Sequence, residues 1–397
     1  MPYYRRVGDI PSKRHTQFRG ADGELYAEEL MGQNGFSSTS SLLYHRRPPT
    51  ALVAADTVAG ADWLTHPKLT PNHPLLPYHL RTRALPGGGD MVMGRTVLLA
   101  NGDVRVAVAQ PDTASGLYRN AIGDEIVYVR SGSLRLESTF GCLDADPGDY
   151  VVIPTATTHR WLPRDDDAVS ALILEASGHV GPPARYLSQH GQFLEHSPYC
   201  ERDLHGPTEP HVVDDPGPGD TGTEGGVDVL VRQAGGLTRY RYAHHPFDVV
   251  GWDGYLYPFR FSIHDFEPLT GRIHQPPPVH QTFAGPRFVV CSFVPRKLDY
   301  HPDAVPVPYN HANVDCDEIL YYCDGSFTSR QGSGIEPGSM TLHPAGHIHG
   351  PQPGSTEAAL GQDATDELAV MLDTFQPLQL AEGALTCADP DYPWSWS

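Results

Sequence analysis

From residue 91 onward the chain is a series of short apolar runs, rich in β-branched residues and each closed off by Gly, Asp or Pro. Thr96-Val-Leu-Leu-Ala, Val104-Arg-Val-Ala-Val, Glu125-Ile-Val-Tyr-Val, Ser133-Leu-Arg-Leu-Glu and Tyr150-Val-Val-Ile-Pro make up the first group. Val229-Leu-Val-Arg, Phe288-Val-Val-Cys-Ser-Phe-Val, Ile319-Leu-Tyr-Tyr-Cys, Ser339-Met-Thr-Leu and Leu368-Ala-Val-Met-Leu make up the second. Branched and aromatic side chains pack well on a pleated surface, so these runs predict strands, and their even spacing predicts barrels or sandwiches. Helical periodicity is scarce, and the expected class is mostly β with few helices. Four regions follow: an N-terminal segment over 1–90 that packs on the barrels, a barrel over 91–200, a connection over 201–228, and a second barrel over 229–397. The connection is placed by Asp214-Asp-Pro-Gly-Pro-Gly-Asp-Thr-Gly-Thr-Glu-Gly-Gly, an acidic stretch with almost nothing to bury.

The two halves share a polar template. Asn120-x4-Glu125-x6-Gly132 reappears as Asn313-x4-Glu318-x6-Gly325, and Gly148-x5-Pro154-x4-His159 reappears as Gly338-x5-Pro344-x4-His349. Agreement at this many Gly-punctuated positions predicts a duplicated barrel. The repeat resembles the cupin superfamily, in which a leading His, a Glu and a last His converge on a metal. The second copy keeps all three as His311, Glu318 and His349, with Asn313 where a second His often stands. The first copy keeps Glu125 and His159 but has Tyr118 at the leading position, as expected of a barrel that has lost its metal.

Two imidazoles and one carboxylate on one face of an ion leave positions open opposite, which suits non-haem Fe(II) oxygenases. Neutral imidazole and carboxylate are borderline donors, so the residue types alone admit Fe, Mn, Ni or Zn. His347, two before His349, lies on the same face if the segment is extended, with a structural or supporting role expected. Cys316 and Cys323 flank Glu318 and are expected to be packed or exposed thiols rather than ligands.

Composition narrows the partners. The chain has 397 residues, 39% hydrophobic and 19% charged, with 40 Gly and 38 Pro distributed along it, which fits strands joined by tight turns. A formal charge of −20 repels phosphates and argues against nucleic acid. No apolar run reaches the roughly 18 residues of a membrane span. The polar N-terminus gives no expectation of secretion. Six cysteines without a C-x-x-C motif suit reduced thiols in a cytoplasm.

Further stretches resemble the homogentisate 1,2-dioxygenase family, whose members cleave an aromatic ring in tyrosine and phenylalanine breakdown. They are Leu25-Tyr-Ala-Glu-Glu-Leu-Met-Gly, Ser41-Leu-Leu-Tyr-His-Arg-Arg-Pro-Pro, Phe247-Asp-Val-Val-Gly-Trp-Asp-Gly-Tyr-Leu-Tyr-Pro-Phe and Pro308-Tyr-Asn-His311-x-Asn, in the family's order. The resemblance implies Fe(II) held by His311, Glu318 and His349, with homogentisate and O2 converted to maleylacetoacetate. It also implies a general base at His274 or, six residues on, His280. Substrate contacts would come from His343 and His280, with Tyr322 near the position of a family tyrosine; as strand residues, Tyr321 and Tyr322 are otherwise expected in the core. A homo-oligomer, trimer or hexamer, is implied too. Two alternatives remain: a cupin dioxygenase for another hydroxylated aromatic acid such as gentisate, and a non-catalytic metal-binding bicupin.

Overall fold

The computed structural model describes residues 3–214, 225–330 and 332–397. Residues 215–224 of the predicted connection over 201–228 lie outside the described residues. Strands dominate, and among the described residues the α-helices are three short ones, Asp62–Thr65, Ser355–Ala359 and Glu382–Cys387. No described helix is long and apolar enough to cross a membrane.

The duplication is visible as a shared topology. In one sheet of the first barrel, Asp149–Ile153, Glu125–Ser131, Ser170–Ala176 and Val104–Ala109 lie side by side in that order. Facing them are Gly141–Ala145, Leu134–Ser138, His159–Pro163 and Leu117–Asn120. This alternation of consecutive strands between two sheets is a jelly roll. The second barrel repeats the first sheet as Ser339–His343, Asp317–Asp324, Leu368–Thr374 and Phe288–Phe293. Its facing sheet is reduced to His311–Ala312 paired with Ile348–His349.

The continuous apolar runs arise because the principal strands are buried on both faces. On Glu125–Ser131, Val127 and Val129 point into the first barrel with Leu136, Val151 and Trp161, while Ile126 and Tyr128 turn the other way. Ile319, Tyr321, Leu342 and Val370 of the second barrel meet them there, so the largest core lies between the barrels. Burial at both faces also fixes register, since a one-residue slip would carry Glu125 or Glu318 into that apolar layer. Gly132 and Gly325, the paired template glycines, adopt φ of +66° and +82°. A Cβ there would meet Asp167 O at 2.9 Å and Asp366 O at 2.1 Å, so both turns need glycine.

The sheets do not respect the expected boundary at 229. Val227–Gln233 and Gly236–Tyr242 extend the first barrel's facing sheet, and Phe259–Ser262 and Gln379–Ala381 join its other sheet. Exchange of strands in this way covers open edges, which an isolated barrel would leave exposed. In the N-terminal segment, Leu52–Thr57, Leu69–Pro71 and Tyr78–Arg81 also complete barrel sheets. The remainder forms a separate sheet in the order Arg5–Gly8, Val249–Gly254, Ser40–His45 and Ala27–Gly32.

That separate sheet carries a pH-dependent lock. Buried His45 donates from Nδ1 to Asp248 Oδ1 at 2.6 Å and from Nε2 to Glu29 Oε2 at 2.9 Å. Burial disfavours the charged ring, but two carboxylates outweigh it and raise the pKa from 6.5 to about 9. A raised folded-state value means stability that is full below 6.5 and lost as pH climbs through about 9. Melting curves over that window should therefore show wild type losing stability that His45→Gln does not lose. The expected size is on the order of 1–2 kcal/mol, since Glu29 is partly exposed and its share is screened.

Candidate metal centre

Three strands bring His311, Glu318 and His349 together. Glu318 begins the run Glu318, Leu320, Tyr322 that alternates into the second barrel. His311 and His349 are direct cross-strand partners. Tyr118 and His159 are the equivalent cross-strand pair in the first barrel. One donor atom from each of His311, Glu318 and His349 lies within 4.8 Å of the others. His349 Nε2 is 3.4 Å and His311 Nε2 3.9 Å from the Glu318 carboxylate. Metal–donor bonds of about 2.0–2.2 Å place donors on one face of an ion roughly 3–3.5 Å apart, so the spacing is close to what a metal requires.

Tautomers support the same use. His311 Nδ1 donates to Tyr309 O at 3.0 Å and His349 Nδ1 to His347 O at 3.1 Å. Each ring therefore presents the Nε2 lone pair to the centre, the outer-partner arrangement found at metal-bound histidines. His349 Nε2 is buried without a hydrogen-bond partner, and so is Asn313 Nδ2. The orphaned imidazole lone pair of His349 is costly to bury, and a bound cation satisfies it, whereas the Asn313 amide is a donor that a cation does not serve. The donor set thus fits a divalent metal.

His343 holds the carboxylate. It is fully buried, donates from Nδ1 to Glu318 Oε1 at 2.9 Å and accepts at Nε2 from the Tyr392 hydroxyl at 2.9 Å. Burial pushes its pKa down to about 3, so the ring is neutral. Burial opposes the Glu318 charge, but the surrounding imidazoles hold the carboxyl well below its usual range, and His343 is the one whose N–H stays on it when the Nε2 lone pairs of His311 and His349 face a metal. Its cross-strand neighbour Asp373 is pushed up to about 8, first by burial and then by Glu318.

The other expected residues divide. His274 is exposed at the rim, where its Nε2 is 3.1 Å from the Tyr309 hydroxyl, and Tyr309 packs edge-on to His311. His280 is not at the cluster: it is buried against Phe293, with ring centroids 4.5 Å apart. Phe293 aligns through Ala369 with Tyr322, four residues along the strand from Glu318, or roughly 13 Å. Burial, followed by Arg296, lowers the His280 pKa to about 3. The Tyr322 hydroxyl is engaged below the centre, accepting from Arg330 Nε at 3.1 Å. His347 stacks parallel to His349, with centroids 6.1 Å apart. Cys316 is half-buried and Cys323 buried, both as free thiols.

Some contributors escaped the sequence reading. Arg330 is buried, and its acceptors, Tyr322 Oη and Gly350 O (2.8 Å from Nη1), are both uncharged. It therefore places a cation on the carbonyl of the residue that follows His349. Asp317 accepts from Ala345 N at 2.8 Å and Leu378 N at 2.7 Å, tying the His349 loop to the Glu318 strand. Asp124 does the same in the first barrel, accepting from Thr155 N at 2.8 Å. The doubled Asp-Glu pair was a usable signal; Arg330 and Tyr392 had none, because only the fold brings them near.

In the first barrel a guanidinium stands beside the matching carboxylate. Arg95, fully buried, donates from Nη2 to Glu125 Oε2 at 2.8 Å and from Nη1 to Glu175 Oε1 at 2.6 Å. A guanidinium thus neutralises the carboxylate equivalent to Glu318. Tyr118 Oη and His159 Nε2 remain buried without hydrogen-bond partners.

Residues 5–263 match the family model for the N-terminal region of homogentisate 1,2-dioxygenase. That match ends before the metal cluster, but full-length relatives extend across it. The chain is 39% identical to the "Putative dioxygenase" of Saccharolobus solfataricus, over 100% of this chain and 99% of that protein. It is 27% identical to homogentisate 1,2-dioxygenase of Rhodopseudomonas palustris and 26% to that of Nitrobacter hamburgensis, each over 98% of this chain and 90% of the relative.

Proposed function

The chain belongs to the homogentisate 1,2-dioxygenase family, and from that premise we propose that it cleaves the ring of homogentisate with O2 to give maleylacetoacetate. The observation that carries the reading is the convergence of His311, Glu318 and His349, with both Nδ1 atoms committed to backbone carbonyls. Fe(II) bound there would supply the Lewis acidity and electron transfer that let O2 react with an aromatic ring. The chain's own residues do the rest. His343 holds the Glu318 carboxylate in position and is held in turn by Tyr392. His274 at the open rim takes the phenolic proton, directly or through the Tyr309 hydroxyl. Buried Arg330 favours an anionic substrate, as the acetate arm of homogentisate requires.

O2 uptake after anaerobic Fe(II) loading tests the substrate. Turnover with homogentisate is expected; uptake with gentisate but none with homogentisate would refute the assignment. Replacing His274 by Asn should lower kcat by about 10²–10⁴-fold with iron content unchanged, since a positioned base contributes that much. His280→Asn should leave kcat within a few-fold of wild type.

A further inference from the structure

A second cluster lies on the outer face of the first barrel, independent of the function proposed above. Glu137 on Leu134–Ser138 directly opposes Cys142 on Gly141–Ala145 and Arg160 on His159–Pro163. Alternation sends Leu136 and Leu143 into the barrel core and leaves Glu137 and Cys142 on the other face. His211, which follows the barrel in the chain, is laid across that face. Two contacts seat it. At Gly141, with φ of +123°, a Cβ would meet Glu209 O at 2.3 Å, so the segment presses directly on the hairpin turn. Beyond His211, Val213 N donates to Phe247 O at 2.8 Å, and the His211 ring packs 5.4 Å from that of Phe247.

Donor atoms of Glu137, Cys142 and His211 consequently lie within 4.8 Å of one another. His211 Nε2 points at Glu137 Oε2 from 3.4 Å, yet is buried without a hydrogen-bond partner. Arg160 Nε donates to the same Oε2 at 2.6 Å and orients the carboxylate.

We propose that Glu137, Cys142 and His211 form a second metal site, selective for Zn(II) or a similarly thiophilic divalent ion. One sulfur, one nitrogen and one oxygen donor from three separate segments make a three-ligand set with a fourth position left for water. The thiolate separates it chemically from the nitrogen and oxygen set of the second barrel and favours zinc over harder ions. Binding requires two protons to leave for solvent, one from the Cys142 thiol and one from the His211 imidazole, whose pKa Cys142 and Glu137 raise to about 9. The ion would staple the segment around His211 to the hairpin, so its expected effect is on stability rather than turnover.

Cobalt(II) is the probe for the full-length protein, titrated without oxygen. This cluster should bind one equivalent, marked by thiolate-to-cobalt charge-transfer absorption that Zn(II) displaces, whatever the second barrel binds. Cys142→Ser should lose that band and one equivalent while keeping wild-type turnover; Cys316→Ser, altered beside the other centre, should keep the band. His211→Gln should weaken Zn(II) binding at this site by at least about tenfold, a readout that stands if Cys142→Ser folds poorly. Absence of a thiolate band in wild type, or its survival in folded Cys142→Ser, would overturn the proposal.

Discussion

Replacing His349 with alanine is expected to abolish iron binding and ring cleavage together. Two remaining donors, His311 and Glu318, hold a divalent ion weakly. His343→Ala should be milder, because His343 supports Glu318 from behind. Removing an outer partner of this kind typically costs about 10–100-fold in affinity or activity, and loss of His349 should exceed that. His159→Ala, at the matching position of the first barrel, should leave iron content at wild-type level. Metal analysis after anaerobic reconstitution distinguishes these outcomes: equal loss from the His349 and His159 variants would mean that the centre is assigned to the wrong barrel.

The second large effect belongs to the barrel without the centre. Arg95→Met should destabilise the protein by about 3–5 kcal/mol, because breaking a buried ion pair leaves its partners charged and unpaired. Glu175 is also held by Arg232, and despite the cost of burial these cations keep its carboxyl at about 2. Among the described residues Glu125 has no second guanidinium bonded to it, and Asn120 Nδ2 donates to it at 2.9 Å. It should suffer most. Arg135→Met serves as the control, since the Arg135–Asp144 pair is largely exposed and such pairs contribute roughly 0–1 kcal/mol. The shift in denaturation midpoint is the readout. Similar small shifts from both variants would show that Arg95 does not compensate for an absent cation.

Legibility from sequence followed physical range. The duplicated template was readable because turn geometry demands particular residues locally: the glycines at 132 and 325 cannot carry a side chain without meeting backbone oxygen. Spacing between strands then singled out His311, Glu318 and His349, which the fold gathers within 4.8 Å. Resemblance put Tyr322 near a family tyrosine, but the sequence could not reveal that Arg330 occupies its hydroxyl. Sequence neighbours such as His274 and His280 looked interchangeable, yet the 3-10 turn Pro277–His280 separates them. One stays at the rim and the other is buried against Phe293. The expected boundary at 229 failed to match the sheets for a related reason, since edge covering depends on strands distant in the chain. The Glu137, Cys142 and His211 cluster likewise has no local spacing to betray it.

The most direct test of the metal assignment is anomalous diffraction at the iron edge from crystals loaded anaerobically with Fe(II). A peak is expected about 2.0–2.2 Å from His311 Nε2, a Glu318 carboxylate oxygen and His349 Nε2. No peak there despite full loading, or a peak between Tyr118, Glu125 and His159 instead, would contradict it.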